Sequence, residues 1–476
     1  MISFIISLIA LIAGYFVYGR VVEKVFGPDN RVTPAVGKAD GVDYIVLPRW
    51  KVFMIQFLNI AGTGPIFGAI MGAKFGPSAY LWIVIGCIFA GAVHDYFSGM
   101  LSMRHGGAGL PEVIGHYLGQ NTKKVMLVFS VFLLIMVGAV FVYSPALILG
   151  NLTGNSVTWV YVWCLIIFVY YIIATMLPID KIIGKIYPLF AVSMLFMAVA
   201  LMIVLFSKWP ELPELTDGLA NMSPSQGTIF PCLFITIACG AISGFHATQS
   251  PLMARCIKNE KDGRPLFYGT MITEGLVALV WATISSYFFY GGAAGELGVS
   301  DALQAPEVVV AVSGGWLGTV GGILALLGVV AAPITSGDTA LRSARLIIAE
   351  FLNMEQRTIR NRIYICIPLF AVTMVMLCFN IADKDGFNVV WSYFGWANQT
   401  LAVFTLWAIT VYLVRSRKPY IITLLPALFM TVVCSTFIVV SGNAFNMSVT
   451  VGYGVGGSVL VVAVAWFVAW YRRVRK

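Results

Sequence analysis

The sequence predicts an all-α polytopic membrane protein of about thirteen transmembrane helices. Ten of these form two inverted five-helix repeats, each with one discontinuous helix. Three observations predict it. Of 476 residues, 59% are hydrophobic and 11% charged, a balance that no soluble domain of this length carries. Thirteen apolar stretches recur, each near the ~20 residues that cross a bilayer. The Lys and Arg residues alternate between the loops that join them.

The stretches lie at 2–19, 51–73, 78–101, 125–149, 157–177, 187–206, 229–250, 266–290, 316–334, 364–380, 389–413, 420–440 and 450–470. Loops 20–51, 102–124, 178–186, 251–265, 335–363 and 414–419, with the tail 471–476, hold 27 of the 30 Lys and Arg residues. The intervening loops hold Lys74, Lys208 and Lys384. Positive charge accumulates on the cytoplasmic side, so the N-terminus is expected outside and the C-terminus inside. Stretch 2–19 has no basic start and reads as a retained helix, not a signal peptide. The net charge of +9 follows from this topology and from anionic lipid, with no nucleic-acid partner implied. Eight cysteines sit singly in or near apolar stretches and read as core thiols, with neither disulfide nor metal spacing. No cofactor is expected.

Within the second stretch, Asn59-Ile60-Ala61-Gly62-Thr63-Gly64-Pro65 cannot continue as a plain helix. Gly62 and Gly64 weaken it, Pro65 removes a donor, and the residue before a proline avoids helical geometry. The helix is expected to break near Thr63 and restart at Pro65, ~21 Å along from Lys51 and well inside the hydrocarbon. Backbone freed at that depth belongs in a wet or protein-lined cavity, where the restarting half-helix favours an anion. In the seventh stretch, Cys239-Gly240-Ala241-Ile242-Ser243-Gly244-Phe245-His246-Ala247-Thr248-Gln249-Ser250-Pro251 supplies a second break, at Gly240–Gly244 or at Ser250-Pro251. The two lie five spans apart, which gives opposite orientations. That offset defines repeats at 51–206 and 229–413, with one helix and loop before them (1–50) and two helices and a basic tail after (420–476). Asn59, Gly62, Thr63, Gly64, Pro65, Gly240, Ser243, Gly244, His246 and Gln249 are the substrate-binding candidates. Spaced glycines at 64, 68, 72 and 76, and again at 314, 318 and 322, read instead as packing faces.

Ionisable groups at membrane depth are functional candidates. His94 and Asp95 lie in the third stretch, either as a proton relay or as an anchor for loop 102–124. His246 adjoins the second break. Glu274 lies about 12 Å into its span, where it is expected to be half snorkelled. Thr335, Ser336 and Asp338 cluster after Pro333 at an expected helix end, with oxygens suited to Na⁺ or a proton. The structural alternative pairs Asp338 with Arg342 one turn on. Titratable His94 and His246 favour H⁺ as the coupling ion, while the 335–338 oxygens keep Na⁺ open.

Several runs resemble the carbon-starvation protein A family of peptide and pyruvate transporters: Pro48-Arg49-Trp50-Lys51-Val52-Phe53, Leu58 to Ile66, Gly91-Ala92-Val93-His94-Asp95-Tyr96-Phe97-Ser98-Gly99, Arg104-His105-Gly106-Gly107, Cys239 to His246, and Ser336-Gly337-Asp338-Thr339-Ala340. The resemblance covers roughly 15–400. It implies proton-coupled uptake of pyruvate or small peptides across a bacterial inner membrane during carbon starvation. It also implies kinship with the amino acid–polyamine–organocation superfamily, whose LeuT-like five-plus-five repeat agrees with the count above. The expected function is therefore a secondary active transporter with a small-molecule solute, not an enzyme. A nutrient sensor or channel is the alternative. A membrane-embedded hydrolase using Ser243 and His246 is the weaker one, since no oxyanion motif accompanies them. Neither a Walker A lysine motif nor His-Glu-x-x-His occurs in the sequence.

Overall fold

The computed structural model describes residues 1–154, 156–177, 183–382 and 386–474, and among them every regular element is helical. Lys181, Lys384, Arg475 and Lys476, all counted above, lie outside the described residues. Eleven helices are long and apolar enough to cross a membrane: Ile2–Phe26, Ser78–Arg104, Gln120–Thr153, Val157–Met176, Tyr187–Lys208, Glu260–Tyr290, Ala305–Phe351, Ile359–Ala382, Val389–Arg415, Ile421–Val440 and Val449–Val474. A twelfth is bent by 55° between Arg49–Ile60 and Gly64–Ala73. The remaining apolar stretch, 229–250, forms short pieces, Ile229–Leu233 with Phe234–Thr236 and then Gly244–Ala254. Among the described residues, thirteen stretches thus resolve into eleven helices of spanning length, one of them kinked at Gly318, and two broken spans.

The first break follows its sequence signals. Ala61 leaves helical geometry (φ −81°, ψ 64°), and the chain restarts with Pro65 in the first turn. The Thr63 carbonyl accepts from the amides of Ile66 (3.2 Å) and Phe67 (2.7 Å), which satisfies two of the donors in the first turn of the new helix. The second break falls at the first of its two expected positions. Residues from Ile237 (ψ 75°) to Ser243 (φ −145°, ψ 122°) are non-helical, and Gly244–Ala254 runs straight through Pro251. Hydroxyls steady the turn ahead of that proline: Ser250 Oγ donates to the His246 carbonyl and Ser343 Oγ to that of Thr248, both at 3.0 Å.

The two breaks are packed against each other. A Cβ on Gly64 would overlap Cys239, one on Gly72 would overlap Ile237, and one on Gly68 would lie 2.8 Å from the Thr236 carbonyl oxygen. This glycine stripe is therefore a packing face, as expected. The second stripe is not. Gly318 takes φ 65° and interrupts the helix, which lets Gly322 meet the backbone of Gly314.

Two loops expected from their charges are helical. Segment 102–124 contains Leu110–Leu118 and the start of Gln120–Thr153. The helix through Pro333 does not end near Thr335; it continues to Phe351. The charges at 338, 342 and 345 suggested water, yet all three side chains are fully buried, with protein partners in place of solvent.

Gly64→Val should lower the melting temperature in detergent, since overpacking of this kind costs ~1–3 kcal/mol. Gly457→Ala, at an exposed helical position with open space around it, should not lower the melting temperature. Intrinsic tryptophan fluorescence during heating reads both.

Candidate functional site

Helix Ser78–Arg104 reaches the second break through a π-helical turn at Cys87–Gly91. A Cβ on Gly91 would overlap the Ala241 carbonyl, so only glycine permits this approach. One turn further on, Asp95 joins two histidines. Its Oδ1 is 2.8 Å from His94 Nδ1, and its Oδ2 is 2.8 Å from His246 Nδ1. An ionised carboxylate only accepts, so it holds Nδ1 of each ring as the donor and directs Nε2 away from itself. His246 Nε2 then lies 3.4 Å from Glu274 Oε2. All four side chains are completely buried. His94 and Asp95 thus bind inward to the second break, and do not serve as an anchor for the 102–124 segment. Glu274 does not snorkel; neither of its oxygens has a hydrogen-bond donor among the described residues. Cys239, His246 and Glu274 also offer ligand atoms within 4.8 Å of one another, a set able to hold a metal ion. The spacing 239, 246, 274 matches no metal motif, which is why sequence reading took Cys239 for a core thiol.

Asn398 closes the start of the half-helix Gly244–Ala254. Its Oδ1 accepts from the Phe245 amide (2.6 Å) and from Ser243 Oγ (3.0 Å), the role of an N-cap supplied by a neighbouring helix. Gly244 packs on the Asn398 carbonyl and the Ala402 amide, and Gly240 on Ala278. These two glycines are contacts between helices. Gln249 donates to Thr248 Oγ1 (2.8 Å) and keeps a buried oxygen without a donor among the described residues.

At the first break, a Cβ on Gly62 would fall 2.6 Å from the Phe141 ring and 3.3 Å from Ser336 Oγ. Ser336 Oγ donates to the Leu58 carbonyl at 2.7 Å. The Asn59 amide and Thr63 Oγ1 are buried with no hydrogen-bond partner among the described residues, and so is the amide of Gln56. Gln56 was missed, although it precedes Asn59 by three residues, close to one helical turn, and so shares its face.

The 335–338 cluster disperses to separate partners. Thr335 Oγ1 turns back to the carbonyls of Ala331 and Ala332 (2.9 Å each), while Ser336 serves Leu58. Asp338 Oδ2 accepts from Tyr187 OH at 2.7 Å. Arg342, the expected partner of Asp338, instead reaches Asp43 Oδ1 at 3.5 Å and the carbonyls of Ala174 and Leu177. Tyr187 gave no sequence signal, because a tyrosine beginning an apolar span is ordinary at a membrane interface. The structure thus gathers His94, Asp95, His246 and Glu274 into one cluster, and ties Gly62 and Ser336 to the first break.

Two broken helices packed at their gaps, with buried titratable groups beside them, define a membrane transporter of the inverted-repeat class. The fold is shared with solved transporters. A manganese transporter from Eremococcus coleocola superposes with a TM-score of 0.58 at 12% identity, over 92% of this chain and 99% of that one. A Na⁺-coupled sialic acid symporter gives 0.56 at 12% identity, over 95% and 96%. The model of the family described as carbon starvation protein CstA matches residues 1–160, 145–312 and 307–437, and the chain belongs to that family. A membrane protein of Haemophilus influenzae is 47% identical over 61% of this chain and 91% of its own. The Escherichia coli peptide transporter CstA is 24% identical over 87% of this chain and 76% of its own. The pyruvate/proton symporter BtsT of the same organism is 28% identical over 55% and 45%.

Asn398→Ala should uncap the second half-helix and cost ~1–2 kcal/mol, and Asn398→Asp should lose at least as much, because it buries a carboxylate in place of a neutral amide. Chemical denaturation in mixed micelles compares the two.

Proposed function

We propose that this protein is a secondary active transporter that takes up a small carboxylate-bearing solute together with protons. The observation that carries this reading is the buried Asp95, shared by His94 and His246 and followed by Glu274. Acid and base groups lie in contact there, at the second break, so a proton can be held or passed on with little net charge left in the membrane. The break itself packs on the first one through Gly64 and Cys239. Movement at either gap therefore changes the distances within the cluster, which is what coupling requires.

Among relatives, the names peptide transporter and pyruvate/proton symporter agree with this reading. A peptide's ammonium end would need a free acidic partner. Asp338 is already bonded to Tyr187, and Glu274 faces His246, which favours a small monocarboxylate such as pyruvate. H⁺ is favoured over Na⁺ by the histidines and by the separate engagements of Thr335, Ser336 and Asp338. The charge asymmetry of the loops supports an N-terminus outside and a C-terminus in the cytoplasm of a bacterial inner membrane. The hydrolase alternative loses its pair: Ser243 gives its hydroxyl hydrogen to Asn398, and His246 Nδ1 is bound to Asp95.

The test is uptake of labelled pyruvate and labelled dipeptide into liposomes holding the purified protein. Inward H⁺ and Na⁺ gradients are imposed in separate runs. Accumulation of either solute driven by H⁺ alone is expected, whereas uptake that only equilibrates would point to a channel. Asp95→Asn and Asp338→Asn should each abolish accumulation; wild-type accumulation in either variant removes that residue from coupling. Thr63→Val should raise KM by up to about tenfold, the worth of one hydrogen bond to solute, and an unchanged KM would make the first break a packing feature only.

A further inference from the structure

Arg342 and Arg345 are both fully buried, yet one carboxylate serves them both. Arg345 Nη2 lies 3.3 Å from each oxygen of Asp43, and Arg342 Nη1 lies 3.5 Å from Asp43 Oδ1. Charge-assisted bonds between guanidinium and carboxylate normally close to ~2.7–2.9 Å, so this carboxylate is poorly seated for either fork. Nε of both arginines and Nη1 of Arg345 have no acceptor among the described residues. Glu350, the other nearby acid, is taken by Arg255 at 2.5 Å and by the Gly109 amide at 3.0 Å. Asp338, one turn away from Arg342, is bonded to Tyr187. Two buried cations with unused donors and one strained-for counter-ion form an underfilled anion site.

Asp43 belongs to a non-helical segment between Gly37 and Arg49. Asp40 Oδ1 accepts from the amides of Val42, Asp43 and Tyr44 at 2.8–3.0 Å, which fixes how far Asp43 can reach. Burial by itself would push the Asp43 carboxyl up, but Arg345 and Arg342 outweigh it and hold it below the usual range. Asp43 also lines a cavity of about 650 Å³, together with Tyr44, Arg255 and Glu350 among others.

We infer that Arg342 and Arg345 form a binding site for a small carboxylate, and that Asp43 occupies it as a tethered stand-in. An untethered carboxylate can take the bidentate geometry that Asp43 cannot, and the cavity that Asp43 lines is its route in or out. The helix that carries both arginines also carries Ser336, bonded to the first break, so filling this site bears on the same element. Only the identity of the carboxylate as transported solute rests on the transport reading above. The site would serve that solute at the Lys- and Arg-rich end of the molecule.

The experiment is thermal unfolding of the purified full-length protein carrying Asp43→Asn. Loss of the counter-ion should lower the melting temperature, and acetate or pyruvate should restore it saturably. Chloride and acetamide at equal concentration should not. Adding Arg345→Gln to Asp43→Asn should remove the restoration, and wild type should respond at least tenfold less sensitively to acetate than Asp43→Asn. Absence of restoration, equal restoration by acetamide, or restoration that persists without Arg345 would overturn the inference. So would a variant that folds in neither acetate nor chloride. Because the readout is stability and not flux, failure here leaves proton-coupled uptake standing, and failure of uptake leaves this site standing.

Discussion

Backbone groups released in the middle of a membrane span have no water to bond, and the gaps at 61–63 and 237–243 must be met from within the protein. Side chains from separate helices do so. Ser336 Oγ takes the Leu58 carbonyl, Trp82 Nε1 donates to the Ile237 carbonyl at 2.8 Å, and Gln399 reaches the Phe234 carbonyl at 3.4 Å. Asn398 meets the Phe245 amide. Polar residues that look misplaced within apolar spans are thus the partners of the two gaps. Because they come from three different helices, shifting any one of these helices disturbs a break.

The same demand governs charge. Asp95 and Glu274 are tolerable at full burial because His94 and His246 stand beside them, and Arg342 and Arg345 because Asp43 and backbone carbonyls do. The two groups differ in kind. Around Asp95 the partners are titratable histidines, so the net charge can follow a proton. Around Asp43 the partners are guanidiniums that stay charged, so the locus is permanently short of negative charge. A centre able to hold or release a proton and a second locus able to attract an anion are what the proposed proton–carboxylate symporter would need.

Much of the fold was legible in residues. Composition, the apolar stretches and the sorted Lys and Arg residues predicted a many-helix membrane protein, and Gly62, Gly64 and Pro65 marked the first break to within a residue or two. The site was legible in part. His94 and Asp95 stood out as an adjacent pair, and His246 and Glu274 singly, because charged or titratable groups are costly at depth, but nothing in the spacing brings 95, 246 and 274 together. Asp43 and Tyr187 gave no signal at all, since an aspartate in a loop and a tyrosine at a span's end are unremarkable until a distant helix packs on them. The helix through Asp338, Arg342 and Arg345 misled in the opposite direction. Its charges read as the start of a loop because their buried partners lie about 150 to 300 residues away in sequence, at Tyr187 and Asp43.

What the sequence determined by itself was therefore local: which segments are apolar enough to span, where glycine and proline forbid a continuous helix, and which residues carry protons or charge. Each depends on a residue and its immediate neighbours. Tertiary structure alone decided which of the two possible second breaks opened, that Gly318 is a kink and not a packing face, and that Asp95 pairs with both histidines while Arg342 turns from Asp338 to Asp43. Those outcomes depend on which donor meets which acceptor across helices far apart in the chain. In an apolar interior every such group must find a partner, and only the packed fold settles which one it finds.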